Sequence, residues 1–229
     1  MPVALVGRCP PRPAGGGSVT DGDHRPDAAT VFDALGSAYE KAFAGSEAHR
    51  ASLEWLLERL EPGSRVLDVG SGTGRPTAET LAGAGHRVLG VDVSPVMVEL
   101  AARQVPDAEF RCADIRETPL EDGSFDAVCA YFSLLQMSRE EQSALVGRLA
   151  RALRPGGPMV LATVPLDIEG VDAVFMGQPV RVTSFSAGDF TALAEAEGLE
   201  VLRAEESVFR PAHPEAVPEP HLFLYARRA

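Results

Sequence analysis

Between residues 66 and 77 the chain reads Val66-Leu67-Asp68-Val69-Gly70-Ser71-Gly72-Thr73-Gly74-Arg75-Pro76-Thr77. An apolar run of strand character carries an acid and then breaks into glycines at alternate positions. Glycine supplies the positive φ and the bare Cα that let a backbone turn sharply and lie close against a ligand. Pro76 suits a first helical turn, where its missing N–H costs nothing. Strand, glycine turn and helix start together predict a cofactor cradle at the carboxyl end of a central strand. A dinucleotide fingerprint requires glycine at position 75, and Arg75 stands there instead. The bland alternative is a turn whose glycines serve only the backbone.

Two further acids sit where strands are expected to end: Asp92, in Gly90-Val91-Asp92-Val93-Ser94-Pro95, and Asp114, in Ala113-Asp114-Ile115. An ionised carboxylate only accepts hydrogen bonds and can hold two donors at once. Structurally, Asp92 would complement a helix dipole, and Asp114 would be an ordinary loop acid. Of the histidines, His49 and His213 are the candidate bases at a site mouth, each with surface or core as its alternative. His24 and His86 read as solvated or structural. No H-x-x-x-H or paired-acid pattern is present, and no metal is expected.

These residues need elements to hold them. Helices are expected from Ala28 to about Phe43 and from Glu47 to Leu60, the latter with Leu53, Leu56, Leu57 and Leu60 on one face. Strands follow at 65–69, 87–93, 108–112, 125–130 and 159–164, alternating with helices. Ser94-Pro95 starts one helix, and Ser138 with Glu141 forms a capping box for another. Ser186 with Asp189 caps a third, ending at Gly198. Residues 199–209 and 222–227 read as closing strands, with His213 and His221 in a proline-rich loop between them. The stretch 165–184 shows no regular period. This alternation predicts a parallel sheet covered by helices on both faces.

Composition narrows the function classes. The chain has 229 residues, 45% of them hydrophobic, enough for one sizeable core. Its net charge of −12 disfavours a surface built to dock on nucleic acid, which needs clustered cations. Cys9, Cys112 and Cys129 form no C-x-x-C pair and read as free thiols in a reducing cytoplasm. No apolar run reaches the length of a membrane span. Residues 1–27, rich in proline and glycine, are expected to be a disordered leader ahead of one domain at 28–229.

The order and spacing of Val66–Gly74, Gly90–Pro95, Ala113-Asp114-Ile115, Gly123-Ser124-Phe125-Asp126-Ala127-Val128 and Leu153–Gly157 resemble the class I S-adenosylmethionine (SAM) methyltransferases. The resemblance covers nearly all of residues 30–227 and departs at Pro158. It implies an α/β, Rossmann-like, seven-stranded and mostly parallel sheet with an antiparallel last strand. It also implies SAM as cofactor and S-adenosylhomocysteine as product. Carried over by position, Gly70, Gly72 and Gly74 lie against the methionine part and Asp68 lies near its ammonium. Asp92 takes the ribose hydroxyls, and Asp114 and Ile115 read adenine between Val93 and Met97. Tyr39 closes over the cofactor, and Tyr131 joins the cofactor site.

The same resemblance points the methyl group at residues 131–137 and gives Phe132 and Gln136 to the acceptor; Phe175 and Met176, apolar and without a regular period in the stretch 165–184, suit a lid that packs on it. The N/D-P-P-Y/F element of base-modifying amino methyltransferases is missing from Ala130-Tyr131-Phe132-Ser133-Leu134. The implied function is methyl transfer to a small-molecule acceptor, in specialised (natural-product) metabolism. Alternatives are the same cofactor site promoting a reaction such as a cyclisation, and a non-catalytic SAM-binding module. A nicotinamide oxidoreductase is more distant. The partner expected is the small molecule, with no nucleic acid and no membrane. Oligomeric state is left open, a homodimer included.

Overall fold

The computed structural model describes residues 27–214 and 216–229. The leader expected at 1–27 therefore lies outside the described residues except for Asp27. That residue belongs to the domain: its side chain accepts from the Thr30 N–H at 2.8 Å and caps the first helix.

One sheet organises the chain. β1 (Arg65–Val69), β2 (Arg87–Asp92), β3 (Glu109–Cys112), β4 (Ala127–Tyr131) and β5 (Pro158–Thr163) pair in parallel. β9 (Glu219–Arg228) runs antiparallel between β5 and β8 (Leu199–Phe209), giving the order β3-β2-β1-β4-β5-β9-β8. The expected seven-stranded, mostly parallel sheet with its last strand reversed is what forms. The order changes direction at β1 and β4, so a crevice opens beyond their carboxyl ends.

Alternation along the strands splits the core into two layers. Leu67, Val69, Val128, Ala130, Leu222 and Leu224 face α6 (Arg139–Ala152) and α7 (Ala187–Ala196). Val66, Ala127, Cys129, Tyr131, Phe223 and Tyr225 face α3 (Glu47–Leu57), α4 (Thr77–Gly83) and α5 (Pro95–Gln104). The Ser138–Glu141 capping box forms at the start of α6. Cys129 is a buried free thiol; Cys112 is disulfide-bonded, against the expectation of free thiols.

Two expectations are corrected. The first helix is not continuous: Gly36, at φ 47° and ψ −133°, divides α1 (Ala28–Leu35) from α2 (Ser37–Phe43). The irregular stretch 165–184 is a β-hairpin, β6 (Ile168–Phe175) with β7 (Gln178–Ser184). Met176 and Gly177, at φ 49° and 79°, form its two-residue turn, the positive-φ pair that matches strand twist. Its outer valines, Val171 and Val174, are exposed, which is why no buried period could be read there.

Candidate active site

The glycine turn begins where β1 ends. Gly70 and Ser71 both donate their N–H to the Val91 carbonyl of β2, at 2.8 and 3.2 Å. Gly70 has φ 68°, and a Cβ there would stand 2.3 Å from the Ser133 Cβ in the loop after β4. Only glycine lets the two loops approach this closely. Gly72, at φ 52°, faces open space: no atom lies within 4 Å of where its Cβ would be. Gly74 differs again. Its missing Cβ makes room for Phe110 and Val105, so it seats α5 and β3 and lines neither cavity described below.

Asp92 closes β2 and is 9% exposed. Its Oδ2 accepts the Gly72 N–H at 2.8 Å and its Oδ1 the Ser94 N–H at 2.9 Å. Burial raises the carboxyl above its usual range, and the two amides pull it back down. The carboxylate is thus oriented by backbone while each oxygen keeps acceptor capacity. It lines a cavity of about 280 Å³ with Gly70, Gly72, Val93, Met97 and Ile115. Asp114 lies on the same wall, but its carboxylate is paired with the Arg116 guanidinium at 2.6 Å. Although desolvation opposes the shift, that cation and the Arg116 N–H hold Asp114 below the ordinary carboxylate range. Gln136 and, from β7, Arg181 complete the far side.

A second cavity, about 230 Å³, adjoins the first across Tyr39, Gly70, Gly72, Tyr131 and Phe132. Asp68, His49 and His221 line it. Asp68 is 2% exposed, with the Cys129 thiol 3.6 Å from Oδ1 and no partner at Oδ2. Burial pushes its carboxyl up to about 7. The His49 Nε2 lies 3.0 Å from the Thr77 hydroxyl, and its ring centre 3.9 Å from that of Tyr131. Burial lowers it to about 3, with His221 adding in the same direction, so the imidazole is neutral. The Tyr131 hydroxyl shares a hydrogen bond with Ser52 at 2.8 Å, and burial raises its pKa.

The N-terminal helices roof both cavities through specific contacts. Ser94 Oγ donates to Asp33 Oδ1 at 2.6 Å, tying α1 to the start of α5. Gln104 bridges Glu40 of α2 and the Thr73 carbonyl of the glycine turn. Tyr39 packs edge-on to Phe32 and stacked on Phe43, and burial raises its hydroxyl pKa.

Phe175 and Met176 line neither cavity; they pack with Val31, Leu35 and Val180, and the Phe175 ring lies 6.2 Å from Tyr39. From the hairpin, Arg181 reaches the cavity wall. His213 also lines neither cavity. Sequence reasoning passed over Ser133, Arg181, Phe43 and His221. The apolar run that begins at Leu222 leaves His221 in a loop, whereas β9 starts at Glu219.

Among the described residues, seven buried side-chain polar atoms have no partner. Four belong to the cavity walls: Asp68 Oδ2, Ser71 Oγ, Ser133 Oγ and His221 Nδ1. A buried, partnerless carboxylate oxygen suits an ammonium, an oriented carboxylate suits a diol, and the open face at Gly72 admits a chain between them. The residues fit SAM. No group of three or more candidate metal ligands occurs among the described residues, and no helix there is long and apolar enough to cross a membrane.

Residues 66–157 match the family described as methyltransferase domain. The methyltransferase GfsG of Streptomyces halstedii is 33% identical over 190 residues, covering 76% of this chain and 67% of that protein. A demethylmenaquinone methyltransferase of Beutenbergia cavernae is 42% identical over 113 residues, covering 49% of this chain. The chain spans 45% of the latter, less than half its length. In fold, it is similar to the [4+2]-cyclase SpnF, with TM-score 0.68 and 24% identity over 89% of this chain and 97% of that one. It is also similar to the 1,6-didemethyltoxoflavin-N1-methyltransferase of Burkholderia thailandensis, solved with its namesake substrate and S-adenosylhomocysteine. There the TM-score is 0.64 with 23% identity over 87% and 86% of the two chains.

Proposed function

The chain belongs to the class I SAM-dependent methyltransferase family, and from that premise we propose that it methylates a small-molecule acceptor and releases S-adenosylhomocysteine. One observation carries the reading. The glycine turn joins two cavities, one floored by the amide-held Asp92 carboxylate and the other by the partnerless oxygen of Asp68. That arrangement is complementary to a molecule with a diol at one end and an ammonium at the other.

Bound there, SAM supplies a methyl group already activated on a sulfonium. What remains for the chain is binding, alignment and exclusion of water. Asp92 holds the ribose hydroxyls, and Asp68 faces the ammonium. Ile115 and Asp114 flank adenine with Val93 and Met97, Asp114 acting from within its ion pair to Arg116. Gly70 and Gly72 give the backbone access, while Gly74 keeps α5 seated behind them. Tyr39 covers the junction of the cavities, with Tyr131 beneath it. Phe132, held at φ 56°, stands between cofactor and acceptor; backbone strain of this kind is often stored at functional sites. Gln136 and Arg181 bound the acceptor path. The acceptor is a small molecule, the setting cytoplasmic and specialised, and the unit responsible residues 28–229 together with the capping Asp27.

Titration calorimetry with SAM, followed by assay of S-adenosylhomocysteine release over a panel of small acceptors, tests the proposal. Binding with acceptor-dependent release supports it. Binding with no release from any acceptor leaves a cofactor-binding module, and absence of binding removes the reading.

A further inference from the structure

The second cavity holds more chemistry than cofactor binding uses. Four aromatic rings, Tyr39, Phe43, Tyr131 and Phe132, line it with the imidazoles of His49 and His221, alongside the charged Glu40, Asp68, Arg75 and Glu79. His221 is 1% exposed and sits in a ring stack, 4.4 Å from Phe132 and 5.4 Å from Phe209 between centroids. Its Nε2 lies 2.8 Å from Glu219 Oε1. A carboxylate accepts and does not donate, so the proton of the neutral imidazole is on Nε2 and the lone pair on Nδ1. Nδ1 has no partner in the protein. A buried acceptor left unmet costs stability, and the ring that carries it lines the cavity beside the cofactor site.

We propose that His221 is the general base for the acceptor, a planar phenol or enol, and that Glu219 is its positioning residue. The inference rests on the methyltransferase reading above and adds the acceptor class and the proton's destination. The aromatic rings select a flat acceptor by offset or edge-on packing. A phenolic hydroxyl, with an ordinary pKa near 10, is within reach of an imidazole base. The acceptor O–H bond breaks and its proton goes to Nδ1. The electron pair left on oxygen forms the bond to the methyl carbon, and sulfur keeps the pair of the bond that breaks. The positive charge passes from sulfonium to imidazolium, where Glu219 stabilises it. His49 does not compete for this role, because burial, with His221 beside it, lowers its pKa to about 3 and leaves it a weak base.

The intact chain, SAM and a graded series of phenols, from 4-methylphenol to the acidic 4-nitrophenol, test this. The wild type should methylate the series with weak dependence on phenol acidity. His221→Gln should lose about 10²–10⁴-fold in kcat on 4-methylphenol. On 4-nitrophenol, studied where it is already ionised, the loss should shrink to about threefold. Glu219→Gln should fall between, and SAM affinity should hold in both variants. A merely structural role would depress all phenols alike, and that result overturns the proposal. If His221→Gln does not fold, the partly exposed Glu219→Gln carries the same comparison. A wild type that binds SAM but methylates no phenol overturns this inference alone; one that binds no SAM removes the methyltransferase reading and this inference with it.

Discussion

The Gly72 N–H donates to Oδ2 of Asp92 across 2.8 Å. Residues twenty positions apart, one in the turn after β1 and one closing β2, are thereby a single unit. The acid fixes the turn, and the turn orients the acid. Removing either should disturb both.

Asp92→Ala should therefore weaken SAM binding at least about tenfold, since charge-assisted bonds of roughly 1.5–3 kcal/mol are lost. It should also lower thermal stability by leaving the Gly72 and Ser94 amides without their acceptor. Calorimetry and a melting curve on the same preparation read the two effects. Unchanged affinity would sink the ribose assignment.

Two glycines of the turn should fail differently. A Cβ on Gly70 meets the Ser133 Cβ at 2.3 Å, so Gly70→Ala should destabilise the fold, by about 1–3 kcal/mol for the clash. Gly72→Val meets nothing in the protein. It should stay folded, at a strain of about 1–2 kcal/mol, and lose cofactor binding. Denaturant midpoints beside SAM affinity separate the two, and equal effects on both variants would contradict the geometry.

Stability and binding should depend on pH through Asp68 and His49. The Asp68 carboxyl, raised to about 7, binds more protons folded than unfolded, so it removes stability as pH rises from about 4 to 7. His49, lowered to about 3, binds fewer protons folded, so it removes stability as pH falls from about 6.5 to 3. Asp68→Asn should flatten the first limb and His49→Gln the second. An ammonium beside Asp68 favours its ionised form, so SAM binding should release a proton below pH 7. Affinity should then fall by up to about tenfold per pH unit below that point. Proton release is measured by calorimetry in buffers of different ionisation enthalpy; none at pH 6 would count against the Asp68 role.

Phe175→Ala should loosen the roof without altering a cavity wall. The ring touches Tyr39 and Phe43, both wall residues. Its loss should raise the KM for SAM and for the acceptor together and increase protease cleavage near Gly36. A change confined to acceptor KM would return Phe175 to the acceptor wall.

Most of the sheet was legible because burial on both faces writes continuous apolar runs, as in Val66–Val69 and Met159–Ala162. Caps did the same for the helices, Ser138 with Glu141 most plainly. The cofactor half of the site was legible for a related reason: glycines and strand-end acids have few other uses at that spacing. The hairpin was not, since its outer valines face solvent and its turn pair, Met176-Gly177, carries only one glycine. His221 escapes notice because the strand begins three residues earlier than the apolar run indicates. The polar ties that pin the roof, Ser94 to Asp33 and Gln104 to Glu40, join residues more than sixty positions apart. No local pattern could announce them.

Titrating SAM into the wild type and into Gly72→Val, with circular dichroism confirming that both are folded, tests the central claim most directly. The account predicts saturable one-to-one binding to the wild type and none to the variant, whose added side chain projects into the space the cofactor needs. Equal binding by both proteins, or no binding by the wild type, would contradict it.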